Sequence, residues 1–191
     1  MKSANHRIVR WNQVAIRANM KPLLYLCLLL APLVSGCAHD YVWKKYKIKP
    51  ERVSLGTLPA GTAVTLVNGQ TKSEAYELGS VGAHHYHGSL SQLTDAIISQ
   101  LSEELKNRGV AVREGAAKTL EVTVVDAKCT TGGSMLCVEM HVRTKTGPGY
   151  VMEAPISNRT PMTVPRAYNG AVALAVIGIL NDSAMADYLK N

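Results

Sequence analysis

The chain has 191 residues, with 21 basic and 14 acidic side chains for a formal charge of +7, and it contains no phenylalanine. Five of the basic residues (Lys2, Arg7, Arg10, Arg17 and Lys21) and none of the acidic ones lie in residues 1–36, so the remainder holds 16 basic against 14 acidic groups, a balance of +2. That near-neutral remainder excludes a nucleic-acid footprint, and with aromatics at only 5% the core must rest on Val, Leu, Ile, Ala and Met.

In chain order, the first feature is a compact run that begins at Met20 and Lys21. One positive charge is followed by the apolar stretch 22–33 (PLLYLCLLLAPL). That stretch is shorter than the ~20 residues a membrane-spanning helix needs, and it suits the core of a signal peptide. Val34, Ser35, Gly36 and Cys37 close it, and this tetrapeptide resembles the lipobox of bacterial lipoproteins. The resemblance implies that the Cys37 sulfur takes a diacylglyceryl group and that Cys37 becomes the mature N-terminus. The alternative is an ordinary signal peptide with a chance cysteine; the order of charge, apolar run and Ser-Gly-Cys favours the lipobox. Residues 1–19 are polar and basic, so the true translation start is expected at Met20. Two buried acyl chains suffice for stable anchoring, at about 0.8 kcal/mol per buried CH₂. Ala38, rather than Asp, follows the cysteine. In lipoprotein sorting of the enterobacterial type this implies the inner leaflet of the outer membrane, with the domain facing the periplasm.

Residues 37–50 are then read as a lipidated tether and residues 51–191 as a single domain. In the tether, Lys44, Lys45, Lys47 and Lys49 interleave with Tyr41, Trp43 and Tyr46. Trp43 and these four lysines are candidates for contact with anionic headgroups. A solvated linker, or an edge strand guarded by lysines, is the plainer reading.

Residues 62–67 (TAVTLV) read as a short strand closed by Asn68-Gly69. Residues 70–88 are polar and weakly patterned. A helix follows: Ser89 and Gln92 have capping-box spacing, and Leu90, Leu93, Ile97, Leu101 and Leu105 form one apolar stripe that ends near Gly109. Val110 to Val112 is a short strand candidate. Leu120, Val122 and Val124 alternate with polar residues, as do Leu136, Val138, Met140 and Val142, and then Met152, Ala154 and Ile156. These predict a three-strand meander with turns at residues 130–134 and 145–149. The chain ends in a helix after Thr163 and Pro165. Residues 171–180 (AVALAVIGIL) are apolar all round, which predicts burial between the sheet and either the first helix or a partner, with a break at Asp182-Ser183. This order predicts an α+β fold: an antiparallel sheet of about four strands, two helices on one face, and Glu121, Thr123, Glu139, His141, Arg143 and Glu153 on the other.

Of the four cysteines, Cys27 leaves with the signal peptide and Cys37 is acylated. Cys129 and Cys137 flank the Gly-Gly turn of a hairpin in an oxidising compartment. Pairing Thr123 with Arg143 sets Cys129 opposite Cys137, so a disulfide is expected between them. A redox-active pair lacks the Cys-X-X-Cys spacing.

The most chemical-looking stretch holds His84, His85 and His87. Extended, it places His85 and His87 on one face and His84 on the other. Neutral imidazoles at that spacing are candidate ligands for Zn²⁺ or Cu²⁺, with His39 or His141 as an added ligand. No carboxylate stands inside the cluster, and a surface strand or loop is the favoured reading, so no metal or other cofactor is expected. Walker A, G-x-S-x-G, H-E-x-x-H and G-x-G-x-x-G are all missing from the sequence, which argues against an enzyme.

The lipobox, the striped helix ending in Asn-Arg-Gly-Val, the meander and the tail ILNDSAMADYL together resemble small α+β lipoproteins of Gram-negative bacteria. Most similar in pattern are the YajG-like lipoproteins; the lipopolysaccharide-assembly lipoprotein LptE shares the element order. The resemblance implies a lipid-anchored module of the outer membrane and carries no functional residue beyond the lipobox. Two functions are open. One is a non-enzymatic binding or assembly module that engages an envelope protein. The other is a carrier of a lipid, glycan or metal ion, the last through His84, His85 and His87.

Overall fold

The computed structural model describes residues 36–161 and 163–191. The signal peptide expected over residues 1–36, and the start expected at Met20, lie outside the described residues but for Gly36. In chain order the elements are β1 (Cys37–Asp40), β2 (Ala63–Asn68), β3 (Tyr76–Val81), β4 (His84–Gly88), α1 (Leu90–Lys106), β5 (Ala111–Val112), β6 (Lys118–Gly132), β7 (Met135–Thr146), β8 (Val151–Thr160), α2 (Val164–Asn181) and α3 (Ser183–Lys190). Residues from Ala38 to Asn191 form one compact unit.

The meander read from the alternation is present. β6 pairs antiparallel with β7 and β7 with β8. Leu120, Val122, Val124, Val138, Met140, Val142, Met152 and Ile156 are buried beneath the helices. Glu139, His141, Arg143 and Glu153 are exposed on the other face, with Glu121 and Thr123 half-buried.

The fold is α+β, but the sheet is not a four-stranded antiparallel one with two helices. Five strands form a mixed sheet in the order β5-β2-β6-β7-β8, three form a smaller sheet in the order β1-β4-β3, and there are three helices among the described residues. β2 lies parallel to both β5 and β6. The link from β2 to these strands runs through α1, and so long a crossover returns the chain to enter in the same direction. Residues 70–88, read as weakly patterned, contain the hairpin β3–β4. Its signal is faint because a bulge between Glu77 and Gly79 breaks the side-chain alternation within β3.

α1 begins with the expected capping box: the Ser89 hydroxyl accepts from Gln92 N at 3.1 Å, and Ser89 N donates to Gln92 Oε1 at 2.9 Å. Its apolar stripe is buried, and Gly109 turns the chain away at a φ of 84°. Ser89→Ala is expected to lower stability by about 1 kcal/mol, measured by urea unfolding. At the other end of the chain, the Asp182 carboxylate accepts from Met185 N at 2.8 Å and caps α3, which bends 62° away from α2. No single helix among the described residues is long and apolar enough to cross a membrane.

The segment read as a tether is part of the domain instead. Residues 41–58 form a strap across α1 and α2. Tyr41, Ile48, Leu55 and Leu58 are at most 6% exposed. Tyr41 Oη donates to Asn169 Oδ1 at 2.8 Å, and Gln100 Nε2 donates to the Tyr46 carbonyl at 2.7 Å. Further along, Asn181 Nδ2 donates to the Arg52 carbonyl and Arg108 Nε to that of Leu55. The sheet and α1 cover part of the all-round apolar α2, and Ile48 and its neighbours face half-buried Gly170, Ala173, Leu174 and Ile177 across a cleft. The dense lysines hid this role, because their charged heads point outward while Tyr41 and Ile48 turn in.

Candidate functional site

The histidines do not converge as one ligand set. β4 alternates, so His84 and Tyr86 share one face while His85 and His87 share the other. On the second face, His85 Nδ1 lies 3.2 Å from Glu77 Oε2. On the first, His39 of β1 lies beside both: its ring plane is within 27° of those of His84 and Tyr86, with centroids 5.2 Å away in each case. His39 Nε2 is 2.9 Å from His84 Nδ1. His141 is on β7 in the other sheet. Among the described residues, no three His, Cys, Asp or Glu side chains are grouped to hold a metal ion. His84, His85 and His87 are therefore not a joint site, since strand periodicity separates them. The sequence held no local signal for the His39–His84 contact, which depends on pairing between residues 45 positions apart.

The expected Cys129–Cys137 disulfide is also absent; both are free thiols. The register starts as predicted, with Thr123 opposite Arg143 and Val124 opposite Val142, but Val125 is bulged out and Asp126 pairs with His141. One extra residue reverses every later side chain. Cys129 comes to lie opposite Val138 on the inner face, and Cys137 opposite Thr130 on the outer. The bulge has an identifiable clamp. Val124 N donates to Thr94 Oγ1 at 3.0 Å, and the Val124 carbonyl accepts from Gln70 Nε2 at 2.6 Å. Both groups come from outside the sheet, where β2 has already ended. Cys129 packs against β3: a Cβ added to Gly79 would sit 2.9 Å from that of Cys129. Burial raises the Cys129 thiol pKa. Unreduced protein is therefore expected to alkylate at both residues once denatured, and more slowly at Cys129 than at Cys137 when native. Peptide mass spectrometry reads both results, and a linked peptide pair that reductant separates would contradict the register.

Two surfaces remain exposed. On the strap, Lys44, Lys45, Lys47 and Lys49 are exposed, and Lys45 forms an ion pair with Glu103 of α1. Trp43 is half-buried against the core, whereas Val42 is 66% exposed and Tyr46 39%. The outward apolar groups of the strap are thus Val42 and Tyr46 rather than Trp43; Tyr46 is among the rings that interleave with the lysines in the sequence, whereas Val42 carried no signal there. The second surface is the uncovered face of β6, β7 and β8. There Lys128 pairs with Glu139 at 2.9 Å and Arg143 with Glu153 at 2.8 Å, each across a strand boundary. The Lys128 ammonium holds the Glu139 carboxyl below its usual pKa. Val125 and Val151 are exposed apolar groups on these same strands. β8, at the sheet edge, carries Pro155, which has no N–H to offer an added strand.

No family model and no curated protein matches this sequence. Among solved structures, the chain is similar to protein XCC0632 from Xanthomonas campestris, described by the family model DUF330. The TM-score is 0.47 at 9% identity, over 76% of this chain and 93% of that one.

Proposed function

We propose that this chain is a lipid-anchored, non-enzymatic binding or assembly module of the cell envelope. It is held at the inner leaflet of the outer membrane by acyl chains on Cys37, and it engages an envelope protein through the open face of the five-stranded sheet. The observation that carries this reading is how closely packed structure follows Cys37. β1 starts there, and Tyr41, four residues on, is in the core. A fully extended chain covers at most about 3.5 Å per residue, so anchor and core are no more than about 14 Å apart. A domain with so little slack lies against the headgroups. Lys44, Lys47 and Lys49 of the strap then add about 1 kcal/mol each on an anionic surface.

The ligand-carrier reading needed an exposed apolar stripe or a cavity along the tail helix. Six of residues 171–180 are buried and four half-buried, and Ala173, Leu174 and Ile177 line a cleft of about 470 Å³ facing Tyr46 and Ile48 of the strap, the feature that favours the carrier reading. The docking reading rests instead on the open sheet face. The sheet face supplies cross-strand charges of both signs around apolar Val125 and Val151, a composition suited to a protein partner. Pro155 argues for docking on the face rather than adding a strand at the edge. A photo-crosslinking amino acid placed at Val125 or Ser157 in living cells tests this. One discrete protein adduct is expected from both positions and none from Thr57 on the strap. Absence of any adduct from the sheet face would contradict the proposal.

A further inference from the structure

We propose that His39 and His84 form a cross-strand site for a divalent late transition-metal ion, copper(II) above all, with water completing the coordination. The proposal goes beyond the envelope function and does not depend on it.

The two imidazoles come from different strands, and the fold fixes their approach. β1 and β4 are neighbours in the small sheet, and Tyr41 N donates to the His87 carbonyl at 2.7 Å just beyond the pair. Tyr86 lies beside His39, its ring centroid 5.2 Å away. His39 Nε2 and His84 Nδ1 are 2.9 Å apart. A hydrogen bond between two imidazoles requires one nitrogen to keep its lone pair, so at least one ligand is ready for a metal without losing a proton. The separation also suits the ion. Metal–nitrogen bonds of about 2.0–2.1 Å at a right angle put two ligand atoms about 2.9 Å apart. Adjacent nitrogen ligands at right angles belong to the tetragonal geometry of copper(II), which also stands highest in affinity among the first-row divalent ions for nitrogen sites. The two nitrogens face one another in line, so each ring must turn by roughly 45° to aim its lone pair at an ion bound at a right angle; both rings are exposed, which leaves room for that turn and for water at the remaining positions. His85, turned to the other face beside Glu77, takes no part.

The test is copper(II) titration of the full chain in detergent, followed by calorimetry and electron paramagnetic resonance. The wild type is expected to bind one ion with nitrogen coupling in its spectrum. Loss of a second-shell partner alone costs about 10–100-fold in metal affinity, so His39→Ala and His84→Ala should each weaken binding by at least about tenfold. The double variant should be no weaker than either single, and His85→Ala and His141→Ala should leave affinity unchanged. All of these residues are surface-exposed or half-buried, and thermal unfolding without metal verifies that each variant is folded. A wild-type chain that binds no copper(II), or one whose affinity survives loss of His39 or of His84, overturns the site.

Discussion

Tyr41→Ala is expected to destabilise the domain by about 3–5 kcal/mol, the range for removing a buried aromatic ring. The residue stands only four positions after Cys37, in a segment whose composition reads as a linker. Its ring is 6% exposed and lies beside Tyr168, with centroids 5.9 Å apart, and its hydroxyl donates to the buried Asn169. Burial raises its pKa, so the phenol remains a donor at neutral pH. Tyr41→Phe separates the two contributions: it keeps the ring and removes the hydrogen bond, at about 1 kcal/mol. Asn169 Oδ1 retains the Lys44 amide at 3.2 Å, which limits that loss. Val42→Ala, one residue on at a 66% exposed position, should fall within about 0.5 kcal/mol of the wild type. Urea midpoints measure all three. A flexible tether would give no change at any of them.

Cys37→Ala is expected to move the protein from the membrane fraction to the soluble one. Acyl chains supply about 0.8 kcal/mol per buried CH₂, so two chains far outweigh the strap, whose three unpaired exposed lysines together contribute about 3 kcal/mol on an anionic surface. Any residual membrane binding of the variant should therefore be weak and should vanish as salt is raised. The apolar stretch 22–33 is shorter than the ~20 residues a membrane-spanning helix needs. Fractionation of cells at low and high salt reads the outcome, and firm membrane attachment of Cys37→Ala at high salt would remove lipidation as the cause.

What could be read in advance was local and periodic. The 3.6-residue stripe and capping box gave α1, and two-residue alternation gave the meander of β6, β7 and β8. The break at Asp182-Ser183 was also legible, and the structure adds its cause, the Asp182 cap on α3. Each miss came from a relation between distant residues. The parallel entry of β6 beside β2 depends on the crossover through α1, which no window of sequence contains. The bulge at Val125 is held by Thr94 and Gln70, 30 and 54 residues from Val124, and it alone turned an expected disulfide into two separated thiols. β3 and β4 were obscured by the Glu77/Gly79 bulge, and the strap by lysines that conceal inward-facing Tyr41 and Ile48. Strand alternation already divides His84 from His85 and His87 in the sequence; what the run could not show was which residue His84 would meet. The contact that does form, between His39 and His84, joins one member of the run to a residue outside it.

Intact mass spectrometry of the protein isolated from its native membrane decides whether the domain is tied to lipid at its first packed strand. A chain beginning at Cys37, with a diacylglyceryl group on the sulfur and acylation of the new terminus, is the predicted product. An unmodified Cys37, or a mature chain that begins upstream of it, would contradict the anchor and with it the placement of the domain against a bilayer.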